Sequence, residues 1–482
     1  MNILEVLHIV GALLIWIAGA MLLPTLLGIS DGLIVPWVGA TLVTAAVGGV
    51  LWAATPRRIS INPREGLAVV GLGWIAVVLA GSLPFIFTGV APTPAGGLFE
   101  SVSGFTTTGA TVFAAMEELP RSILLWRSIT HWLGGMGIIV LGVAILPLLG
   151  MGGAQLFRAE APGIPSDRLR PRIASTARLL WGVYALFTAV LMGIYLLLGM
   201  SLFDAVNHAM SCLATGGFST RTGSLGAFSG SIQWVTVLFM LVAGTNFTLH
   251  YRFLTGKWNV HWRDHEWRWF AGMALGCAVA AWLVLGSTGG DWGASVVRRA
   301  VFNVTAIITT TGFATADFAV WPAFCQVVLL GLMFMGAMGG STGGGFKVVR
   351  AAVVLKHVAG ELRKVLHPKA IVVTKLGGRA IRSDVLLNVL AYLALYMVTH
   401  GIGTVLIAAL GNDLVTSMSA ALAAMSSIGP GLGAVGPAAN YGELGPAAHL
   451  VLAVLMLLGR LEFYTLLVLV IPGTWARWGG NR

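Results

Sequence analysis

Long stretches without a charged residue alternate along the chain with short basic segments. Each uncharged stretch is long enough for a helix of about 20 residues to cross roughly 30 Å of hydrocarbon. They cover residues 6–30, 32–56, 66–99, 128–157, 179–203, 222–251, 269–290, 318–346, 385–412 and 414–442, followed by 444–476, which only Arg460 and Glu462 interrupt. The pattern predicts an all-α integral membrane protein with about ten transmembrane helices.

Between one basic segment and the next the chain must cross the membrane and return, and each such stretch holds more apolar sequence than two helices need. Between the basic segments 54–66 and 158–178, helices near 67–90 and 126–150 leave residues 96–110 over. This remainder is too short to span a bilayer, and it contains the polar string "FTTTGAT". We therefore predict a re-entrant segment that returns to the side it left.

A segment of this kind recurs four times. The copies are "FESVSGFTTTGAT" (99–111), "VNHAMSCLATGGF" (206–218), "FNVTAIITTTGFA" (302–314) and "SAALAAMSSIGPG" (419–431). Aligned from their first residues, they reach a glycine together, at Gly109, Gly216, Gly312 and Gly429, with spacings of 107, 96 and 117 residues. A period near one hundred residues predicts four helix–pore-loop–helix repeats arranged as a pseudo-tetramer around one axis.

The composition of the repeated segment suits a path for cations. Non-helical backbone at membrane depth is tolerated where it lines a polar path, and its carbonyl oxygens can replace the water shell of an ion. Thr and Ser add hydroxyl oxygens without fixed charge, while Gly reaches backbone angles that a Cβ disfavours. The predicted filter residues are Thr107, Thr108, Gly109, Ala214, Thr215, Gly216, Thr310, Thr311, Gly312, Ser427, Ile428 and Gly429.

A second polar cluster is "GAMGGSTGGGFK", residues 336–347. Glycine costs about 1 kcal/mol relative to alanine inside a helix, so we expect the helix to break here. The residues concerned are Gly339, Gly340, Ser341, Thr342, Gly343, Gly344, Gly345 and Lys347. Two interpretations stay open at this point: a gate below the third filter segment, or a passive kink that lets helices pack closely.

Several polar residues lie at membrane depth. Arg460 costs about 2.5 to 3.5 kcal/mol to insert and should face protein or water. It either raises the barrier to a cation by repulsion or pairs structurally with Glu462 or with pore-helix carbonyl groups. Asp204, Asn207 and His208 either hydrate the pore mouth or cap their re-entrant helix. We expect Asp204 to cap it, with Glu100, Asn303 and Asp413 in the same role.

Composition and charge agree with a membrane location. The 482 residues are 57% hydrophobic and 10% charged, and the mean hydropathy is +0.87. The basic segments 54–66, 158–178, 252–268 and 347–382 and the C-terminal tail predict that both termini are cytoplasmic. The net charge of +11 therefore reads as an orientation signal and a surface for anionic lipid or a partner, and nucleic-acid binding is not expected. No span carries a nucleophile, a base and an orienting group together, so we do not expect an enzyme.

The motifs "SGFTTTGAT", "LATGGFST", "TTTGFATADF", "IGPGLG", "GGSTGGGFKVVR" and "GRLEFYTLLVL" resemble the Trk/Ktr/HKT superfamily of potassium transporters, specifically its TrkH-type membrane subunits. The resemblance implies uptake of K⁺ and Rb⁺ across the bacterial inner membrane. It implies two extra spans (1–56) before four repeats (57–157, 158–256, 257–367 and 368–482), with residues 336–346 as an intramembrane gate. Whether the flux is passive or coupled to Na⁺ or H⁺ as symport stays open.

The resemblance also implies partners. A homodimer is expected, together with a cytoplasmic TrkA-type subunit that binds nucleotides such as NAD, ATP or ADP. No nucleotide or other cofactor is expected on this chain itself. The basic positions Arg168, Arg170, Arg172, Arg363 and Lys364 are the predicted docking surface for that subunit.

Overall fold

The computed structural model describes residues 3–55, 63–140, 169–370 and 373–471. In these ranges the chain is helical apart from its connections, four short 3₁₀ turns and a small hairpin on the way into the last repeat. Seven of the described helices are long and apolar enough to cross a membrane, and a bent pair makes an eighth. The chain is therefore an all-α, membrane-integral protein, as its hydropathy pattern predicts.

Two helices precede the first repeat and pack against each other. They are α1 (Ile3–Ser30) and α2 (Ile34–Ala53), joined by a three-residue turn. Gly11 and Gly48 face each other where they cross, because a Cβ built on Gly11 would lie 2.8 Å from the carbonyl oxygen of Gly48. Small residues at such a crossing let two backbones approach within the membrane.

Four units follow, and each reads helix, short helix, extended segment, helix. The first holds α3 (Pro63–Phe87), α4 (Pro94–Phe105) and α5 (Arg121–Val140), and the second holds α6 (Leu169–Leu197), α7 (Leu202–Leu213), α8 (Gly230–Gly244) and α9 (Phe247–Leu254). The third holds α10 (Val260–Arg263), α11 (His265–Gly289), α12 (Ala294–Ile308), α13 (Ala323–Met335) and α14 (Val348–Leu366). The fourth holds the antiparallel strands β1 (Lys375–Leu376) and β2 (Arg379–Ala380), then α15 (Ser383–Ala409), α16 (Leu414–Ser426), α17 (Gly445–Arg460) and α18 (Tyr464–Val470).

The second long helix is interrupted in three of the units, and in the fourth unit a three-residue turn separates α17 from α18. In the second unit α8 and α9 meet at 103°, and the side chain of Asn246 caps α9 by accepting from the amide of Thr248. In the third unit α13 ends after 13 residues, and the glycine cluster from Gly336 to Lys347 is non-helical before α14 begins. The predicted span that falls on α13 is therefore too short to cross a membrane alone. The predicted span 128–157 is described only as far as Val140.

The capping predictions hold at one position. Asp413 accepts from the amide of Thr416 and caps α16. The predictions for Glu100, Asn303 and Asp204 are wrong, because these residues lie inside their helices. The residues before those helices are Thr93 and Ser201, whose hydroxyl groups accept an amide, and Gly293. Glu100 and Asn303 lie well inside their helices, and Asp204 lies in the first turn of its helix.

The short helices pack against long helices through glycine. In the first unit a Cβ on Gly134 of α5 would lie 1.9 Å from the carbonyl oxygen of Phe105, the last residue of α4. In the fourth unit Gly459 of α17 meets the carbonyl oxygen of Met425 at the same 1.9 Å. The end of each of these short helices is therefore held by a contact that a methyl group would displace.

We predict that Gly134→Ala destabilises the protein, because the new methyl group must displace the carbonyl group of Phe105. The expected cost is about 1–3 kcal/mol, typical of overpacking. The measurement is the melting temperature of the detergent-solubilised protein. Gly272→Ala on α11 is the matched control: it has no atom within 4 Å and is exposed. Equal melting temperatures for the two variants would contradict this packing.

Candidate functional site

The four re-entrant segments share one backbone conformation. The residue that follows the last helical turn has a positive φ in every copy: 53° at Thr107, 53° at Thr215, 57° at Thr310 and 55° at Ser427. The glycine two residues later is also left-handed, at Gly109, Gly217, Gly312 and Gly429. The amides of Thr107, Thr215, Thr310 and Ser427 each donate to the carbonyl group three residues earlier. The repeat read from the sequence is thus a repeat of backbone geometry.

This geometry shifts the predicted register of the second segment by one residue. Gly217, with φ +84°, is the counterpart of Gly109, whereas Gly216 is the counterpart of Thr108. The predicted triplet Ala214, Thr215 and Gly216 therefore becomes Thr215, Gly216 and Gly217. Ala214 is the C-cap of α7, in the position of Thr106. Two adjacent glycines follow Thr215, and only the backbone angles distinguish them.

The left-handed glycines join the segments into a closed ring. A Cβ on Gly109 would lie 1.9 Å from the carbonyl oxygen of Gly216, and one on Gly217 would lie 2.2 Å from that of Thr311. A Cβ on Gly312 would lie 1.7 Å from the carbonyl oxygen of Ile428, and one on Gly429 would lie 2.7 Å from that of Thr108. Each segment thus contacts the next, and the fourth contacts the first.

The ring offers oxygen atoms and no charged side chain. Its carbonyl groups come from Thr108, Gly216, Thr311 and Ile428. After the register correction, the position before them holds a hydroxyl group in every segment, at Thr107, Thr215, Thr310 and Ser427. The hydroxyl oxygens of Thr107 and Ser427 are buried and have no hydrogen-bond partner among the described residues. Uncharged oxygen ligands of this kind suit a cation that must bind and leave again.

The residues just beyond the glycines line one open mouth shared by all four segments. Gly109, Gly217, Gly312 and Gly429 border it together with Arg127, Arg221 and Tyr441. The hydroxyl group of Tyr441 donates to the carbonyl oxygen of Gly429 at 2.6 Å. At the rim, the side chain and amide of Thr222 both donate to Glu117. The Thr222 hydroxyl group lowers the pKa of the Glu117 carboxyl below its usual range, so Glu117 stays charged at neutral pH.

Each re-entrant helix also carries a polar side chain that binds the extended, non-helical segment leaving the ring, here called a strand for short. Glu100 Oε1 accepts from the amide of Val112 at 2.7 Å, and His208 Nε2 lies 2.9 Å from Ser219 Oγ. Asn303 Nδ2 donates to Thr315 Oγ1 at 3.1 Å, and Ser419 Oγ accepts from the amide of Leu432 at 2.9 Å. Three of the four lie nine residues before their ring glycine. The position of His208 could not be predicted from the repeated sequence, because it matches Glu100 and Asn303 only when Gly217 replaces Gly216.

The glycine-rich loop lies directly against the ends of three re-entrant helices. Gly344 donates its amide to Thr310 Oγ1 at 2.7 Å, and Thr342 donates its hydroxyl group to the carbonyl oxygen of Leu213 at 3.0 Å. A Cβ on Gly344 would lie 2.1 Å from the carbonyl oxygen of Ser426. Lys347 Nζ donates to the carbonyl oxygen of Gly343 within the loop. The cluster therefore contacts the helix ends, and at Thr310 the ring itself.

Arg460 and Glu266 hold this loop from the sides. Arg460 is 3% exposed, and its Nη1 donates to the carbonyl oxygen of Thr342 at 2.8 Å. Glu266 Oε1 accepts from the amides of Gly339 and Val349, one at each end of the loop, at 2.7 and 3.2 Å. Of the two structural partners predicted for Arg460, Glu462 is wrong, and the carbonyl group that Arg460 contacts belongs to the loop and not to a pore helix. Glu462 instead pairs with Arg350 at 2.8 Å.

Fold and site together define a polytopic membrane protein in which four re-entrant segments enclose one ring of backbone carbonyl groups. Known proteins share this architecture over nearly the full length of the chain. A crystal structure titled as the potassium transporter TrkH from Vibrio parahaemolyticus superposes with a TM-score of 0.91 at 37% sequence identity, covering 99% of this chain and all of that one.

Sequence comparison gives the same relatives. The family model TrkH, described as "Cation transport protein", matches residues 37–474. The "Trk system potassium uptake protein TrkH" of Salmonella typhimurium is 40% identical over 98% of this chain and all of the relative, and that of Escherichia coli is 39% identical with the same coverage. The chain belongs to the TrkH family of cation transport proteins, a family of transporters and not of enzymes.

The ring register can be tested with His131, which lies behind Gly216. A Cβ on Gly216 would lie 2.1 Å from His131 Nδ1, whereas a Cβ on Gly217 meets only backbone of the next segment nearby. We predict that His131→Ala removes the loss of melting temperature caused by Gly216→Ala but not that caused by Gly217→Ala. The coupling for the first pair should fall within about 0.5–3 kcal/mol, as is usual for residues in contact.

A double-mutant cycle in melting temperature is the readout. Each glycine variant is compared with wild type and with its double variant carrying His131→Ala. Equal rescue of both glycine variants would show that the assigned register is wrong.

Proposed function

We propose that this chain conducts K⁺, and Rb⁺ in its place, into bacterial cells across the inner membrane. The observation that carries the proposal is the closed cycle of contacts in which each ring glycine meets a carbonyl oxygen of the next segment. The relatives named above are called potassium uptake proteins, and the chain matches them over its length. The geometry of the ring and the names of the relatives both support K⁺ as the transported ion.

The chemistry of the ring suits a weakly hydrated monovalent cation. Carbonyl oxygens carry partial negative charge and can replace water in the first shell of K⁺. No carboxylate belongs to the ring, so the ion is not held as tightly as by a charged ligand and can move on. The hydroxyl groups at Thr107, Thr215, Thr310 and Ser427 add a second possible layer of oxygen ligands. The corrected filter is thus Thr107–Gly109, Thr215–Gly217, Thr310–Gly312 and Ser427–Gly429.

We propose that residues 336–347 close the path inside the ring. The loop contacts helix ends of the second, third and fourth units and donates to Thr310 of the ring, so an ion that leaves the ring inward meets it first. Arg460 adds a buried positive charge beside this loop. In a region of low dielectric constant, such a charge repels a cation. Conduction then requires the loop to move away from the helix ends.

Orientation and partners complete the proposal. We place both termini and the basic segments in the cytoplasm, with a homodimer and a TrkA-type nucleotide-binding subunit as the assembly. Arg363 and Lys364 lie in the last turn of α14, where Lys364 pairs with Glu361 on an exposed surface. Arg168 lies outside the described residues. Charge reversal at Arg363 and Lys364, followed by co-purification of the subunit, tests this docking surface.

The transport proposal predicts that the chain restores growth on low potassium to cells that lack their own potassium uptake systems but keep a TrkA-type subunit. Gly312→Ala and Gly429→Ala should lower the preference for K⁺ over Na⁺, because each new Cβ displaces a carbonyl group of the ring. The measurement is Rb⁺ and Na⁺ uptake, with imposed Na⁺ and H⁺ gradients to separate passive flux from symport.

The control for these variants is Gly331→Ala on α13, where no atom lies within 4 Å of a new Cβ. It should keep the wild-type ion preference. Folded Gly312→Ala and Gly429→Ala proteins with the same preference as Gly331→Ala would rule out the ring as the filter.

The gating proposal predicts that Arg460→Ala increases Rb⁺ flux. Loss of the side chain removes both a positive charge and a hydrogen bond that holds the loop at Thr342. Arg460→Lys keeps the charge and should change the flux less. Deletion of residues 339–345 should raise unregulated flux as well. Stopped-flow or tracer flux into proteoliposomes is the measurement, and a correctly inserted Arg460→Ala protein with flux at or below wild type would falsify the barrier role.

A further inference from the structure

A buried ion pair lies behind the first filter segment. Glu100, on the short helix α4, is fully buried, and its Oε2 accepts from Arg127 Nε of α5 at 3.1 Å. The other carboxylate oxygen, Oε1, accepts from Thr111 Oγ1 at 2.5 Å and from the amide of Val112 at 2.7 Å. These two residues directly follow Gly109 and Ala110. The carboxylate thus binds Arg127 with one oxygen and the strand leaving the ring with the other.

The arginine of this pair extends the link to the second filter segment. The Arg127 guanidinium carbon lies 3.8 Å from the centroid of the Phe218 ring, and Nη1 lies 3.5 Å from the carbonyl oxygen of Ser219. Phe218 and Ser219 directly follow Gly217. The pair therefore contacts the strands that leave the ring in two neighbouring segments, and these segments meet at Gly109 and the carbonyl group of Gly216.

The residues that correspond to Glu100 in the other units are uncharged or are not connected to a neighbouring segment through an arginine. Asn303 holds only the third strand, His208 holds the second strand at Ser219, and the fourth unit has Ala420 at the matching position and uses Ser419. A buried charge pair is costly to desolvate, and removal of one partner leaves the other charge uncompensated. A neutral residue suffices to hold one strand in the other units. The feature that sets the first unit apart is that its side chain reaches a second segment through Arg127.

We propose that Glu100 and Arg127 form a positioning unit that determines ion selectivity by fixing the spacing between the first two filter segments. The inference rests on the potassium function proposed above and deepens it. Neither residue belongs to the ring of oxygen ligands. Both act through the strands that carry Gly109 and Gly217, and so through the carbonyl groups of Thr108 and Gly216.

A purely electrostatic role makes a different prediction. Arg127 borders the outer mouth, so Glu100→Gln would leave extra positive charge there and weaken cation entry. Arg127→Gln would leave extra negative charge and strengthen it. The two variants would then change cation uptake in opposite directions and leave the K⁺ to Na⁺ ratio alone. A positioning role instead lowers the ratio in both, because both release the same pair of strands.

The experiment measures Rb⁺ and Na⁺ flux into proteoliposomes for Glu100→Gln, Arg127→Gln and the double variant. The ratio of the Rb⁺ flux to the Na⁺ flux is taken as the selectivity for K⁺ over Na⁺. We expect each single variant to lower the ratio roughly tenfold, the scale for losing an outer-shell partner of a metal ligand. The double variant should be no worse than the poorer single variant. The matched control is a second arginine–carboxylate pair, Arg350 and Glu462, whose hydrogen bond joins α14 to the turn after α17 and, in the part of the chain that the structure describes, involves no filter residue. Arg350→Gln and Glu462→Gln should leave the ratio within about twofold of wild type, the scale of small uncoupled effects.

Thr111→Val covers the case in which the charge variants do not fold. It removes one hydrogen bond to Glu100 and leaves the ion pair intact, and it should still lower the ratio, though less. Wild-type protein that conducts no Rb⁺ would count against the proposed function. Conducting, folded variants with an unchanged ratio, or with ratios shifted in opposite directions, would overturn the positioning role. If neither charge variant folds, an unchanged ratio in Thr111→Val overturns it.

Discussion

The structure depends on the close approach of four glycine α-carbons to four carbonyl oxygens. At Gly109, Gly217, Gly312 and Gly429 the backbone of one segment lies where a Cβ of another residue would have to be. This contact makes a ring from segments that are far apart in the chain. The long helices carry glycine for a similar reason where the short helices end, as at Gly134 and Gly459. Close packing of the short helices brings the four segments together, and the ring glycines let them touch.

Much of this fold could be predicted from the hydrophobic pattern. Uncharged stretches, leftover segments too short to span and a period near one hundred residues are properties of composition and spacing, and they led to the four units. The register of the second segment could not be predicted, because Gly216 and Gly217 are equally permissive and the choice is made by contact with Thr311 in another unit. The roles of Glu100 and Asn303 could not be predicted for a different reason. A polar residue near the predicted start of a helix suggests a cap, whereas these side chains bind strands of their own unit that return from the ring.

For the glycine-rich loop below the ring, the position could likewise be predicted from the sequence, but the contacts could not. Its position follows from glycine content, since a helix cannot carry six glycines in twelve residues without cost. Its partners lie elsewhere in the chain: Glu266 at both ends, Thr310 at the ring and Arg460 at Thr342. No local pattern marks Glu266, which the sequence places among tryptophans typical of a membrane interface. These four charged residues therefore hold irregular backbone: Glu266 and Arg460 hold the loop, and Glu100 and Arg127 hold the segments behind the ring.

The central claim is that the four segments form one binding place for a monovalent cation. Rubidium scatters X-rays anomalously and substitutes for potassium, so its position can be seen directly in crystals prepared in Rb⁺. The structure predicts a peak enclosed by the carbonyl oxygens of Thr108, Gly216, Thr311 and Ile428. Saturating Rb⁺ with no peak in the ring, or with peaks only outside it, would contradict the account.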